Sequence, residues 1–241
     1  MGLDMYLYRT AKVPEFTPED YITVYHYVEE MLNSRNRLAA GGERSATFTE
    51  SLDLEAGTGL AGANVLQNSI RQNGDPEFMT WYSIFEEVAY WRKANEVHAW
   101  FVKTAQGGVD ECQLGDPLTK EQLTELRDRA KLVLASRPEI NRPFPVATRK
   151  AQQSVVGTLT AILQDARSPF GERQAAAVAI AKIEPGLVAK LLLPPQGGFF
   201  FGGTDIDEWY YNGMTETYQQ LDRVLESTDF ETQVVFYQSS W

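Results

Sequence analysis

Leu3, Met5 and Leu7 alternate with Asp4, Tyr6 and Tyr8 at the start of the chain. A period of two puts the apolar set on one face of extended backbone, so a strand is predicted over residues 2–9. The pattern then changes. Thr17 and Pro18, followed by Glu19 and Asp20, supply an N-cap, a first helical position and an acidic first turn. Tyr21, Val24, Tyr25, Val28 and Leu32 recur at helical spacing, which carries the helix to about Asn33. Residues 41–74 are rich in Gly, Ser, Thr, Asn and Ala and hold no clear period, so a long loop is expected, with a short hairpin at SATFTESLDL.

From Pro76 to Ala105 the chain reads as one long helix closed by Gly107 and Gly108. Thr119 and Gln122 form the ends of a capping box for a helix reaching about Ser136, with Leu118, Leu123, Leu126, Leu132 and Val133 inward. Residues 146–184 read as a helical hairpin interrupted at Ser168 and Pro169, its second arm rich in alanines that permit close packing. Phe199, Phe200 and Phe201 between glycines suggest a buried strand, followed by a helix from about Asp205 to Glu226 capped by Thr204 or Asp205. FETQVVFYQSSW supplies a closing strand. A strand near each end of the chain suggests that the two pair. The expected fold is α+β: mostly helical, one domain over residues 1–241, with a small antiparallel sheet joining the N- and C-terminal strands.

Composition narrows the function. The 241 residues are 43% hydrophobic, enough for a sizeable core, and carry a net charge of −11, which repels phosphate backbones and argues against nucleic acid as the main partner. The single cysteine, Cys112, allows no internal disulfide and points to a reducing compartment. MGLDMYLYRT lacks the features of a signal peptide, and no apolar run is long enough to span a bilayer. A cytoplasmic protein without membrane contact is therefore expected.

Polar residues on an apolar helical face mark the first candidate site. Projected at ~100° per residue, Glu87, Asn95 and His98 share a face with Trp81, Ile84, Val88, Trp91, Ala99 and Val102, and Arg92 lies at its edge. A paired structural network accounts for such a set as well as a ligand site does. His26 lies off the apolar face of its helix beside Glu29 and Glu30, as an exposed pair would. QGGFFFGGTDIDEWYY resembles a phosphate cradle, but Asp205, Asp207 and Glu208 occupy the helix start and would repel a phosphate. No zinc, P-loop, dinucleotide or nucleophile-elbow motif is present, and neither a metal nor a cofactor is implied. Asp110, Glu111 and Asp116 read as solvated loop acids in preference to a hard-cation site, and a Cys112–His98 pair has no support in the spacing.

Several segments together carry a resemblance: MGLDMYL, EEVAYWRKANEVHAWFV, GVDECQ, LLPPQGGFFFGGTDIDEWYY and FYQSSW. They resemble an uncharacterised family encoded by bacteriophages, prophages and bacteria, beginning MGLDMYL and ending in SSW. Residues 34–75 and 138–185 fall outside it and read as insertions, the first loop-rich and the second the helical hairpin. The resemblance implies that Asp4, Arg92, Asn95, His98, Asp110, Gln196, Thr204, Asp207, Tyr210 and Ser239 belong to shared motifs, and that the protein acts in a host cytoplasm.

Three readings of function follow. The first is a pocket for a small nucleotide-like ligand, with Trp91, Arg92, Asn95, His98, Thr204, Trp209, Tyr210 and Tyr211 as binding residues, in a phage setting sequestering a host defence signal. The second is a nucleotide-processing hydrolase with His98, Asp110 and Asp207 as catalytic candidates. The third is an acidic inhibitor of a host protein. A homo-oligomer is compatible with each.

Overall fold

The computed structural model describes residues 2–39, 59, 61–66, 68, 84–110, 112–137, 149–197 and 203–240. Three strands form one antiparallel sheet: β1 (Asp4–Ala11), β2 (Glu86–Arg92) and β3 (Gln233–Ser240), in the order β2-β1-β3. The helices are α1 (Pro18–Ala39), α2 (Asn95–Ala105), α3 (Lys120–Ala135), α4 (Arg149–Gln164), α5 (Phe170–Ile183), α6 (Leu187–Leu192) and α7 (Glu208–Ser227). The fold is α+β, and the strands near the two ends pair as the alternation predicts.

Register explains which side chains turn inward. Met5 lies opposite Trp91 on one side and Ser239 on the other, and Leu7 lies opposite Ala89 and Tyr237. Directly opposed residues share a sheet face, so these six point together toward α2 and α7 into the main core. The opposite face carries Tyr8 and Phe236 toward α1, where Tyr21, Val24, Tyr25 and Val28 complete a second core. A bulge between Leu7 and Tyr8 shifts the β1–β2 register.

Both outer edges of the sheet are covered. The Gln220 carboxamide of α7 accepts from Tyr90 N at 2.8 Å and donates to Tyr90 O at 2.6 Å, occupying the free side of β2. Along β3, Gly115 N donates to Tyr237 O and Leu118 N to Val235 O, each at 2.8 Å. An edge strand left bare is a template for another chain.

The helix predicted from Pro76 to Ala105 is not formed as one element. Among its described residues, 86–92 are β2; Lys93 adopts φ 61 and turns the chain, and 95–105 form α2. Ile84, Val88 and Trp91 satisfy helical spacing, but Ala89 and Trp91 also alternate with the exposed Tyr90 and Arg92. Hydrogen bonding to β1 decides for the strand, a case of tertiary pairing overriding a local period. A second correction concerns α7. Its N-cap is Asp207, whose carboxylate accepts from Tyr210 N at 3.1 Å, and neither Thr204 nor Asp205 caps it. In the segment read as a loop, residues 61–66 are helical. The hairpin expected at SATFTESLDL and the strand at Phe199–Phe201 lie outside the described residues.

The capping box at Thr119 forms as expected: Gln122 N donates to the Thr119 hydroxyl, and Thr119 N to the Gln122 side chain. The helical hairpin forms as α4 and α5. Ala176, Ala177 and Ala181 are buried, and the small side chains let α5 approach its neighbours closely. Among the described residues no helix is long and apolar enough to cross a membrane.

Candidate functional site

Opposite faces of α2 present two different chemistries. One full turn takes about 3.6 residues, so Glu96, Ala99, Trp100 and Lys103 lie along one side and His98 on the other.

On the sheet side, His98 is held from both ends. Its Nε2 is 3.0 Å from Asp110 Oδ2, and its Nδ1 is 2.6 Å from the Tyr237 hydroxyl. A carboxylate only accepts, so Nε2 carries the proton. Tyr237 is fully buried, and that burial pushes its pKa far above the ordinary phenol value; the neighbouring Ser239 hydroxyl offsets part of the rise. The phenol therefore stays protonated and donates to Nδ1. The Tyr237 ring stacks on Phe101 at 4.3 Å, which fixes it against α2. With both nitrogens engaged, the imidazole has no lone pair left for a substrate proton. The cluster ties the segment after Gly107 and Gly108 to β3.

The other face of α2 opens onto a groove of about 1010 Å³. Glu96, Trp100 and Lys103 form its α2 wall, and Lys120, Glu125 and Arg129 of α3 stand among those facing them. Arg173 of α5 forms part of the lining and is buried. It donates to both Glu125 carboxylate oxygens at 3.1 Å and to Leu163 O at 3.1 Å. Arg129 donates to the same carboxylate at 2.8 Å. Asp128 is paired with Arg127 at 2.8 Å. Two of the acids in the groove are thus already neutralised by guanidinium groups. Lys103 and Lys120 are exposed and enter no ion pair with a described residue. Glu96 is half-buried; desolvation raises its pKa above the ordinary carboxylate value, against a smaller lowering from its own backbone N–H.

The rim of the groove is pinned through backbone carbonyls. The last carbonyls of a helix lack partners within it. Arg129 donates to Leu192 O at 3.0 Å, Tyr210 to Leu193 O at 2.6 Å, and Asn95 to Gln196 O at 3.3 Å. Three side chains from three helices thereby hold residues 192–196, of which Leu192, Leu193, Pro194 and Gln196 line the groove at the end of α6.

The residues singled out from the sequence scatter among these settings. His98 and Asp110 come together; Asp207 is apart, capping α7. Asn95 and Tyr210 converge on the rim. Trp91 is fully buried in the main core, its ring 5.9 Å from that of Phe101. Arg92 is exposed, 3.8 Å from Asp4. Thr204 is exposed ahead of α7, and Trp209 is 84% exposed at its first turn. Tyr211 is buried with the Arg137 guanidinium over its ring. Among the described residues no group of three His, Cys, Asp or Glu side chains is placed to hold a metal ion, and Cys112 is exposed and free. His26 is half-buried, 3.8 Å from the exposed Glu29. The sequence reading missed Glu96, Trp100, Lys103, Lys120, Arg129 and Arg173. One local signal was present: an indole at position 100 on the charged side of a helix, between an acid four residues before and a lysine three after.

Comparison of the chain with protein-family models, with curated proteins and with solved structures gave no match. What the chain can do is therefore argued from the groove itself.

Proposed function

We propose that the protein binds a small nucleotide-like anion in the groove between α2, α3 and residues 192–196. The observation that carries this reading is the half-exposed Trp100 ring on the same groove wall as Lys103, with Lys120 opposite, two lysines that enter no ion pair among the described residues. An indole offers a stacking surface for a planar ring, and two exposed ammonium groups attract a phosphate. The volume lies at the upper end of the ~300–1,000 Å³ usual for small-molecule sites. Asn95 and Tyr210 act here by holding the rim. Binding without turnover is favoured over His98 chemistry, because that ring has no free nitrogen and faces away from the groove. A phage-encoded binder of this kind would withdraw a nucleotide signal from the host.

The test is filtration of the protein with a panel of mono-, di- and cyclic nucleotides, followed by heating of the retained fraction and chromatography. Depletion followed by intact release is the expected result. Release in altered form would establish an enzyme, and depletion of none would remove the reading. Trp100→Ala should weaken binding by about 5- to 150-fold, from the ~1–3 kcal/mol that base stacking on an aromatic contributes. Lys103→Glu should weaken it with no loss of fold, since the side chain is exposed.

A further inference from the structure

Glu96, Trp100 and Lys103 form a line along one helix face: an acceptor, an aromatic plate and a cation. The rise from position 96 to position 103 is about 10 Å, matching the reach from the base edge of a nucleoside monophosphate to its phosphate. The cationic end is shared with Lys120, the first residue of α3. The far end has different chemistry. Glu96 pairs with no cation among the described residues and sits half-buried, its carboxylate in van der Waals reach of Gly213, where an added Cβ would stand 3.6 Å from Oε1. An ionised carboxylate can accept hydrogen bonds and cannot donate them.

Resting on the groove reading above, we infer that the site selects 6-aminopurine and 4-aminopyrimidine bases, whose amino group donates to the Glu96 carboxylate while the ring stacks on Trp100 and the phosphate meets Lys103 and Lys120. A 6-oxo or 4-oxo base would set a carbonyl oxygen against the carboxylate, acceptor against acceptor. Sites built around one hydrogen bond reject an analogue that leaves it unmade more strongly than apolar pockets reject a methylene. Burial, which already raises the carboxyl pKa, amplifies the mismatch, because Glu96 has little water to turn to instead.

The experiment is titration calorimetry of the full chain with AMP against IMP, and CMP against UMP, at pH 7.5. At least a tenfold preference for the amino base in one pair is expected. Equal affinities within both pairs would overturn the inference while leaving the groove as a nucleotide site. Failure of all four to bind would overturn both. Glu96→Gln supplies a second arm. A carboxamide both donates and accepts, so the preference should shrink or reverse toward the oxo base. An unchanged ratio in a variant that melts like the parent would also refute the assignment of Glu96.

Discussion

Arg173 offers the sharpest test of how the groove is supported. Its guanidinium is 4% exposed and makes three hydrogen bonds, two to the Glu125 carboxylate and one to Leu163 O. Arg173→Met preserves most of the volume and removes all three. Breaking a buried ion pair costs ~3–5 kcal/mol, mainly through the charge left behind. Here Glu125 keeps Arg129 at 2.8 Å, so the loss should lie near the lower end, about 3 kcal/mol. For a chain of this size that lowers the melting temperature by roughly 6–12 °C. Urea denaturation followed by circular dichroism measures it, with Arg127→Met as the comparison. Arg127 pairs with Asp128 and, at 3.4 Å, with Asp222, and is more exposed, so the loss should cost about 1 kcal/mol. Arg173→Met combined with Glu125→Leu should recover at least half of the deficit, because the stranded carboxylate is gone. A single variant within ~1 kcal/mol of the parent, or a double variant no better than the single, would refute the account.

Other perturbations follow from the same contacts. Gln220→Leu strips both hydrogen bonds from Tyr90 and should cost about 2 kcal/mol, at ~1 kcal/mol each, read from the urea midpoint. His98→Leu leaves the buried Tyr237 hydroxyl without its acceptor, at ~1–3 kcal/mol; adding Tyr237→Phe should return much of it in the same assay. Because the Glu96 carboxyl has a folded pKa above 4.5, the folded state holds its proton to higher pH than the unfolded chain, and wild-type stability falls as pH rises through that window. Glu96→Gln lacks this loss, so its advantage in urea midpoint over the parent should widen from pH 4.5 to pH 7.

Much of the fold was legible because its signals are local. Thr119 and Gln122 announce a helix start within four residues, and the alternation of Leu3, Met5 and Leu7 announces a strand within five. β2 was hidden for a physical reason: Ile84, Val88 and Trp91 fit a helix as well as a strand, and the arbiter, β1, lies about eighty residues earlier. The groove was less legible still. Its cations and acids come from α2, α3 and α5, and only packing brings them together. His98 and Asp110 were named from the sequence, but the role of the pair depends on Tyr237, from the far end of the chain, which occupies the remaining nitrogen. Trp91 and Tyr211 show the opposite error, since an aromatic in a motif is more often there to fill a core.

The placement of β1 at the centre of the sheet sets a timetable for synthesis. Asp4 pairs with Arg92 on one side and with Ser240 on the other. At ~5–20 residues per second, β1 waits on the order of ten seconds or more after emerging from the ribosome before its second partner exists. During that interval Met5 and Leu7, which end fully buried, lack the strand that brings Tyr237 and Ser239 beside them. A nascent chain arrested before β3 should therefore engage chaperones through its first strand, and release of the chain through β3 should end that dependence.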